Sequence, residues 1–397
     1  MIQPVYEVYK KTAAGKRGTL VEGIIEMDML FRKNEPAKWT FTGAGLGEPD
    51  LSEADEIIVF RNGEAVLSGF VCKAVVEYDA ATRIFDWSVE GYSDLGKLAH
   101  RLTWPNPQME TPVFGYEYKD EDYFSDVLLK ISRVNAALQA QSARRIANLD
   151  IDTLPHYGDT VTIGADYDEL LSYIQKKLED STMCIRSTWS GSTGKWGVEI
   201  YNPRDVSDKV IFSVESGSIS YWKRTTIAPA GNWIIVKGVT RTDTNKIMSV
   251  IVSDADSIAK WGRIELTVNR TDIDQIVETN DSGTVTYTEP WSSVADRLQA
   301  AAYEELENNS AQIGYEITVL DIDRFSYKSD WDLSDWVSVR IGSDEFKAQI
   351  EEVKVNYAAG VETVTPSIGA LQKGELMTVF DELGRLKAQV NILQKEN

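Results

Sequence analysis

The chain has 397 residues, with 62 Asp and Glu against 41 Lys and Arg and a formal net charge of −21. That imbalance argues against wholesale binding to nucleic acid or to an anionic membrane, since both require a basic face. Hydrophobic residues make up 43% and aromatics 10%, so the acidity belongs to the surface of a folded protein and not to a disordered acidic chain. At about 150 residues per domain, the length predicts two to four domains.

Cys72 and Cys184 cannot build a disulfide framework or a four-thiolate zinc site, and they lack CxxC spacing. Residues 1–19 contain no apolar h-region, and nowhere do 18 apolar residues follow one another. The sequence therefore predicts a protein made in the cytoplasm without a secretion signal and with no membrane span. Asn269-Arg270-Thr271 and Asn308-Asn309-Ser310 match the glycosylation triplet only formally.

Residues 20–101 read as β. Ile57-Ile58-Val59-Phe60 runs into the hairpin signal Arg61-Asn62-Gly63-Glu64, and the apolar pattern resumes at Ala65-Val66-Leu67. Residues 83–92 alternate sides and give way at Ser93-Asp94-Leu95 to a helix start, which predicts a small barrel or sandwich closed by a short helix. Pro105, Pro107 and Pro112 mark a boundary, because proline excludes both helix interior and central strand.

Two helices are expected next. One covers 122–140, with Phe124, Val127, Leu128, Ile131 and Val134 at helical spacing; the other covers 167–180, with Leu170, Leu171, Ile174 and Leu178. Strands at 183–189 and 196–201 flank a turn from Ser190 to Lys195. A second β region contains Gly231 to Gly238, Ile247 to Val252, Trp261 to Val268, and several strands within 313–365. One helix, 292–308, interrupts it, with Ser293 and Asp296 at capping-box spacing and Val294, Leu298, Ala301 and Ala302 as its apolar stripe. Two β regions of similar length, each with one helix, predict a duplicated barrel without visible sequence repeat.

At the end of the chain, Leu376, Val379, Leu383, Leu386, Val390 and Leu393 step by 3, 4, 3, 4, 3, the a/d seam of a coiled coil. Glu382 and Lys387 stand at g and the next e, placed for an interchain salt bridge, and Gly374 marks the start. The helix would be about 36 Å long. Docking on its own domain is the alternative to oligomerisation, and Leu and Val at a and d leave two strands and three strands open. The expected fold is thus α+β, mainly β: a first barrel at 1–104, an α+β insertion at 105–206, a second barrel with one helix at 207–372, and an oligomerising helix at 373–397.

Catalytic signals are sparse. His100 and His156 both read as structural, and no GxSxG elbow exists. Gly43-Ala44-Gly45-Leu46-Gly47 lacks dinucleotide-loop spacing and reads as a turn; Gly191 to Lys195 fails the P-loop pattern because Trp189 and Trp196 replace its essential glycine and hydroxyl. Asp-x-Asp pairs at 150/152, 166/168, 254/256, 272/274, 321/323 and 330/332 are what so acidic a chain produces by chance, and none continues into a calcium loop. The 11 tryptophans raise a carbohydrate platform, yet Trp87, Trp233 and Trp261 fall in strand patterns and read as core. No catalytic residue, cofactor or metal is expected.

The stretch Ile57 to Val71 with Ser68-Gly69-Phe70-Val71, then Tyr78-Asp79, Arg83, Trp87 to Leu95 and Arg101, resembles the opening barrel of siphovirus tail-tip proteins. Gly231 to Gly238, Trp261 to Glu265 and Asp330 to Val339 are similar to the second half of that family. Where its pattern has Leu-Gly-Asp, this chain has Leu333-Ser334-Asp335. The resemblance implies the baseplate hub of a tailed phage infecting a Gram-positive host, similar in fold to the contractile-phage hub. Such hubs have two barrels related by duplication with α+β insertions, and they trimerise so that six barrels match a sixfold tail tube. It further implies a location at the virion tail tip, with the distal tail protein, the tape measure protein and a receptor-binding or tip protein as partners, and DNA passing through without specific binding. Longer relatives append peptidoglycan-cleaving or fibre domains; this chain is expected to be a structural hub without hydrolase activity. The competing expectations are a tail-borne cell-wall hydrolase or carbohydrate-binding protein, and an oligomeric scaffold unrelated to phage.

Overall fold

The structure, a computed structural model, describes residues 3–47, 49–106, 118–179, 181–279, 285–287, 289–319 and 325–368. The predicted terminal helix and the Asp321/Asp323 pair lie outside them. The chain divides into two compact units, Met1–Trp222 with Glu316–Asn397, and Lys223–Tyr315.

The first unit opens with seven strands: β1 (Tyr6–Lys11), β2 (Arg17–Leu20), β3 (Ile24–Arg32), β4 (Lys38–Gly45), β5 (Glu56–Arg61), β6 (Glu64–Asp79) and β7 (Ile84–Ser93). A 3₁₀ helix, Asp94–His100, follows at the predicted place. Then come β8 (Tyr118–Tyr123), α1 (Phe124–Ala136), β9 (Thr160–Ala165), α2 (Leu170–Leu178), β10 (Cys184–Trp189), β11 (Trp196–Tyr201), β12 (Ile211–Ser213) and β13 (Ile219–Ile227), the last leading out of the unit. The second unit contributes β14 (Trp233–Thr240), β15 (Ile247–Ser253), α3 (Ala255–Trp261), β16 (Glu265–Asn269), β17 (Val277–Thr279), β18 (Val285–Tyr287) and α4 (Trp291–Asn308). The chain returns along β19 (Gln312–Val319) and finishes with β20 (Trp336–Ile341), β21 (Asp344–Ala358) and β22 (Val361–Ile368).

In the first unit one sheet runs β19-β22-β21-β3-β4-β7-β6-β5-β1-β2, with β20 on β21 and β12 parallel to β20. The β3–β21 ladder, from Glu26↔Ala358 to Arg32↔Glu352, joins the strands of the early and late sequence. Alternation fixes its faces: Met27 and Met29 of β3, Trp39 and Phe41 of β4, Trp87 and Val89 of β7, and Val353 and Val355 of β21 are all buried. Trp39 stacks on Phe41 with ring centroids 4.6 Å apart. At the β5–β6 turn, Asn62 (φ 52°) and Gly63 (φ 83°) take the paired left-handed conformation of a two-residue hairpin, as the sequence predicts.

The inserted α+β segment has its own core. Leu95 and Leu98 of the 3₁₀ helix meet Val127, Leu128 and Ile131 of α1, Leu170 and Ile174 of α2, and Trp196 of β11. Both helices are shorter than predicted. Helix α1 stops at Ala136 because Ala137 is extended (φ −102°, ψ −157°). Helix α2 starts at Leu170, where the Glu169 carboxylate accepts from the amides of Leu171 (2.8 Å) and Ser172 (3.2 Å).

In the second unit the sheet order is β15-β14-β16, with β14 and β16 parallel. Helix α4 packs Val294, Leu298 and Ala302 on Ile234, Val236 and Met248. Two sequence expectations fail here. The helix begins at Trp291 behind Pro290 (φ −76°, ψ 157°), and the Ser293 amide already bonds the Pro290 carbonyl, so Ser293 lies inside the first turn instead of capping it. The strand expected from Trp261 begins only at Glu265. Asp254 caps a helix by accepting from the Ser257 amide (3.0 Å), and Gly262 at φ 79° ends it, which places Trp261 at a partly exposed helix end.

A third difference concerns the glycines at 43–45, expected to form a turn. Strand β4 continues through Gly45, paired to β7 as far as Gly45↔Phe85. The Trp87 indole covers Gly43, where a Cβ would lie 2.1 Å from Cζ2. Lack of a side chain is what the site requires, not a bend.

Candidate assembly site

Where the insertion meets the sheet, charged side chains are buried together. Lys11 ends β1, Glu56 begins β5, Ser68 lies on β6, and Asp94 and Lys97 lie on the 3₁₀ helix. Lys11 Nζ is 2.8 Å from Asp94 Oδ2 and 3.3 Å from Glu56 Oε2; Lys97 Nζ is 2.7 Å from Asp94 Oδ1 and 2.5 Å from Glu56 Oε1. The Ser68 hydroxyl also donates to Asp94. Burial works to raise the Asp94 pKa, but the two ammonium groups prevail and hold it below the usual carboxylate range. A carboxylate so held ties three strands to the start of the insertion. Sequence reasoning did not single this cluster out.

A second joint links β1, β5 and β22. Arg61 sets Nε and Nη2 each 2.7 Å from the two oxygens of Glu362, and the Tyr6 hydroxyl donates to Glu362 at 2.5 Å. Fork-on-carboxylate geometry of this kind fixes both distance and angle between strands.

From Val71 onward β6 has β7 as its only strand neighbour among the described residues, since the β5 ladder ends at Glu56↔Phe70. Val75, Val76 and Tyr78 are exposed along this edge, and Tyr78 packs on Phe85 at 4.7 Å. An apolar strand edge in water is a surface for association.

Four of the five described Asp-x-Asp pairs have a member with a structural use. Asp150 binds Lys195 (2.6 Å), whose hydrogen bond lowers its pKa; Asp254 caps α3; Asp272 pairs with Arg270; Asp330 accepts from the Ser326 amide; Asp332 pairs with Lys328. Among the described residues no three His, Cys, Asp or Glu side chains group as metal ligands. His100 is exposed, with Phe70 edge-on at 5.9 Å. His156, at φ 59°, places Nδ1 2.5 Å from buried Asp126, whose Oδ1 accepts the His156 amide. Of the tryptophans, Trp39, Trp87, Trp196 and Trp331 are core, whereas Trp233 is half-buried under Arg263, 3.6 Å from its ring. Trp222 is the exposed one, at 45%. The heptad residues 376–393 lie outside the described residues.

The fold is similar to that of the 43 kDa tail protein of prophage MuSo2 from Shewanella oneidensis. Its TM-score is 0.51 at 13% identity, over 91% of this chain and 97% of that one. It is likewise similar to the tail protein from Neisseria meningitidis MC58, with a TM-score of 0.51 at 12% identity over 92% and 97%. No curated protein matches the sequence. Residues 13–370 match the profile of the Siphovirus ReqiPepy6 Gp37-like proteins, nine-tenths of the chain. The chain belongs to the Siphovirus ReqiPepy6 Gp37-like family.

Proposed function

We propose that this chain is a trimeric hub at the tip of the tail, closing or adapting the tail tube and serving as an attachment point rather than as an enzyme. The observation that carries this reading is family membership over 13–370 together with the a/d seam at Leu376, Val379, Leu383, Leu386, Val390 and Leu393. Barrel regions at 1–104 and 207–372, with the insertion at 105–206 between them, would give each trimer six barrels to match a sixfold tube. The helix at 373–397, with Glu382 and Lys387 bridging chains, would form the stem. Exposed Val75, Val76 and Tyr78 on the open edge of β6 favour self-association. The distal tail protein above, the tape measure protein within and a receptor-binding or tip protein below are the partners. DNA passes a lumen whose acidic groups gain nothing by counterion release.

Multi-angle light scattering tests this reading. The full chain is expected to have the mass of three copies, and the chain truncated after Lys373 to fall to one copy or to dissociate on dilution. Monomers in both cases would remove the stem from the reading. Clearing of host cell walls by the chain alone in zymography would replace the structural hub with a hydrolase.

A further inference from the structure

Two stretches of strand in this fold are exposed on both faces. A strand in a packed sheet buries every second residue, because successive side chains point to opposite sides. In β6 the stretch Cys72 to Asp79 contains no buried residue, and in β13 the stretch Ser220 to Ile227 contains none either. Val75, Val76 and Tyr78 on the first, and Tyr221, Trp222 and Ile227 on the second, are large apolar side chains left in water. Apolar surface of this kind marks a contact made with another chain.

Both stretches are also sheet edges among the described residues. On the β5 side of β6 the last backbone bonds join Val71 to Asp55 (2.8 Å) and to Ala54 (3.1 Å). The register shift at Cys72 follows, and beyond it the described neighbour is β7 alone. Strand β13 stands at the end of the sheet order, beside β19. Soluble proteins blunt a long edge by shortening it or by placing proline in it. Neither stretch contains proline, and each runs for eight residues, about 26 Å of edge.

The two edges carry opposite charge. Lys73, the sole cation of 72–79, is paired with Glu90 across the hairpin (2.9 Å). Glu77 and Asp79 therefore set the sign of that edge, with Asp86 of β7 opposite Glu77. Residues 220–227 contain Lys223 and Arg224 and no acid, in a chain whose net charge is −21. Laying β6 against a second β6, or β13 against a second β13, brings like charges together. An acidic edge and a basic edge of equal length attract.

We propose that the free edge of β6 in one copy of this chain pairs with the free edge of β13 in the next copy. Glu77 and Asp79 lie against Lys223 and Arg224, and Tyr78, Tyr221 and Trp222 close over the joint. Because the two edges are different surfaces, the contact is head-to-tail, and it closes into a ring when the third copy returns to the first. The inference rests on the trimer reading and adds to it the surface through which the copies meet outside the stem.

The test uses the full chain with Cys72→Ser, which removes the exposed thiol and leaves Cys184 buried. Tyr78→Cys and Trp222→Cys are placed on separate chains, co-expressed and treated with a short bismaleimide. Expected is a covalent dimer with one chain of each kind, no cross-link in either variant alone, and a covalent trimer when one chain carries both substitutions. In the unsubstituted chain, hydrogen exchange at consecutive amides of 72–79 and 220–227 should be at least tenfold slower than in a free peptide, whereas an open edge protects only alternate amides. Should a cysteine variant fail to fold, this measurement decides. A cross-link in Tyr78→Cys alone would show a symmetric contact and overturn the proposal. A mass of three copies by light scattering, with no mixed cross-link or with only alternate amides protected, would overturn the edge contact and leave the trimer standing. A single-copy mass would overturn both.

Discussion

The indole of Trp39 stands where a side chain on Gly91 would have to go: a Cβ there would lie 2.3 Å from Cζ2 of Trp39 and 2.0 Å from the Phe70 carbonyl oxygen. Gly91 is on β7 and Trp39 opposite it on β4, so the glycine lets the largest core side chain lie flat on the neighbouring strand. Gly91→Ala must displace backbone as well as the ring, and overpacking of this kind costs about 1–3 kcal/mol. Gly63→Ala meets open space and carries only the penalty of its positive φ, about 1 kcal/mol. Urea unfolding of both variants checks the ranking; an equal loss would contradict the packing account.

Asp94 and Lys11 give the molecule a defined acid response. The folded-state pKa of Asp94 is depressed, so its contribution is fully present above the unfolded value of about 3.9 and is lost as pH falls through the lower folded value. Acid unfolding driven by this group therefore belongs below about pH 4. Asp94→Asn leaves Lys11, 2% exposed, with Glu56 alone, and breaking such a buried pair costs about 3–5 kcal/mol at neutral pH. The gap between wild type and variant should narrow as pH drops below 4. A gap that stays constant from pH 7 to pH 3 would show that the carboxylate charge is not what stabilises.

Local patterns were legible in the sequence wherever one residue type has one use. Asn62-Gly63 specified its hairpin, and Leu170, Leu171, Ile174 and Leu178 specified the buried face of α2. Gly43 misled because a glycine needed beneath Trp87 looks in sequence like a glycine needed in a turn; only the partner 44 residues away distinguishes them. Helix α3 was hidden by its length of seven residues, although Asp254 and Gly262 mark its two ends. The Lys11–Asp94 cluster and the open edge of β6 beyond Val71 arise from long-range pairing that no local period encodes.

The heptad seam makes a prediction at its centre. In the proposed coiled coil Leu383 and Leu386 would fill adjacent a/d layers, so Leu383→Asp would bury one carboxylate per chain around its axis. If the chain is the proposed trimer, the expected result is its loss in sedimentation velocity, with the thermal unfolding of the two compact units unchanged. Glu382→Lys alone should weaken the trimer far less, because a pair at the solvent-exposed rim contributes about 0.2–1 kcal/mol. A trimer that survives Leu383→Asp would move the oligomer contact elsewhere in the chain.

Ser334 occupies the position where the related tail-tip pattern has glycine, and its backbone is left-handed at φ 69° while the residue is fully buried. The turn is fixed on both sides: the Ser334 amide donates to the Ile350 carbonyl (2.9 Å), Gln349 Nε2 donates to the Ser334 carbonyl (2.7 Å), and Asp335 binds Arg204. These bonds hold the conformation whichever residue is present, so the chain carries the steric cost of a Cβ in that region, about 1–2 kcal/mol. Ser334→Gly removes the cost and gives back part of it through the freer unfolded chain. The expected net gain is about 0.5–1 kcal/mol, visible as a higher urea midpoint at unchanged slope. A loss of stability would mean that the Ser334 side chain contributes more to the packing around Gln349 and Cys184 than its backbone costs.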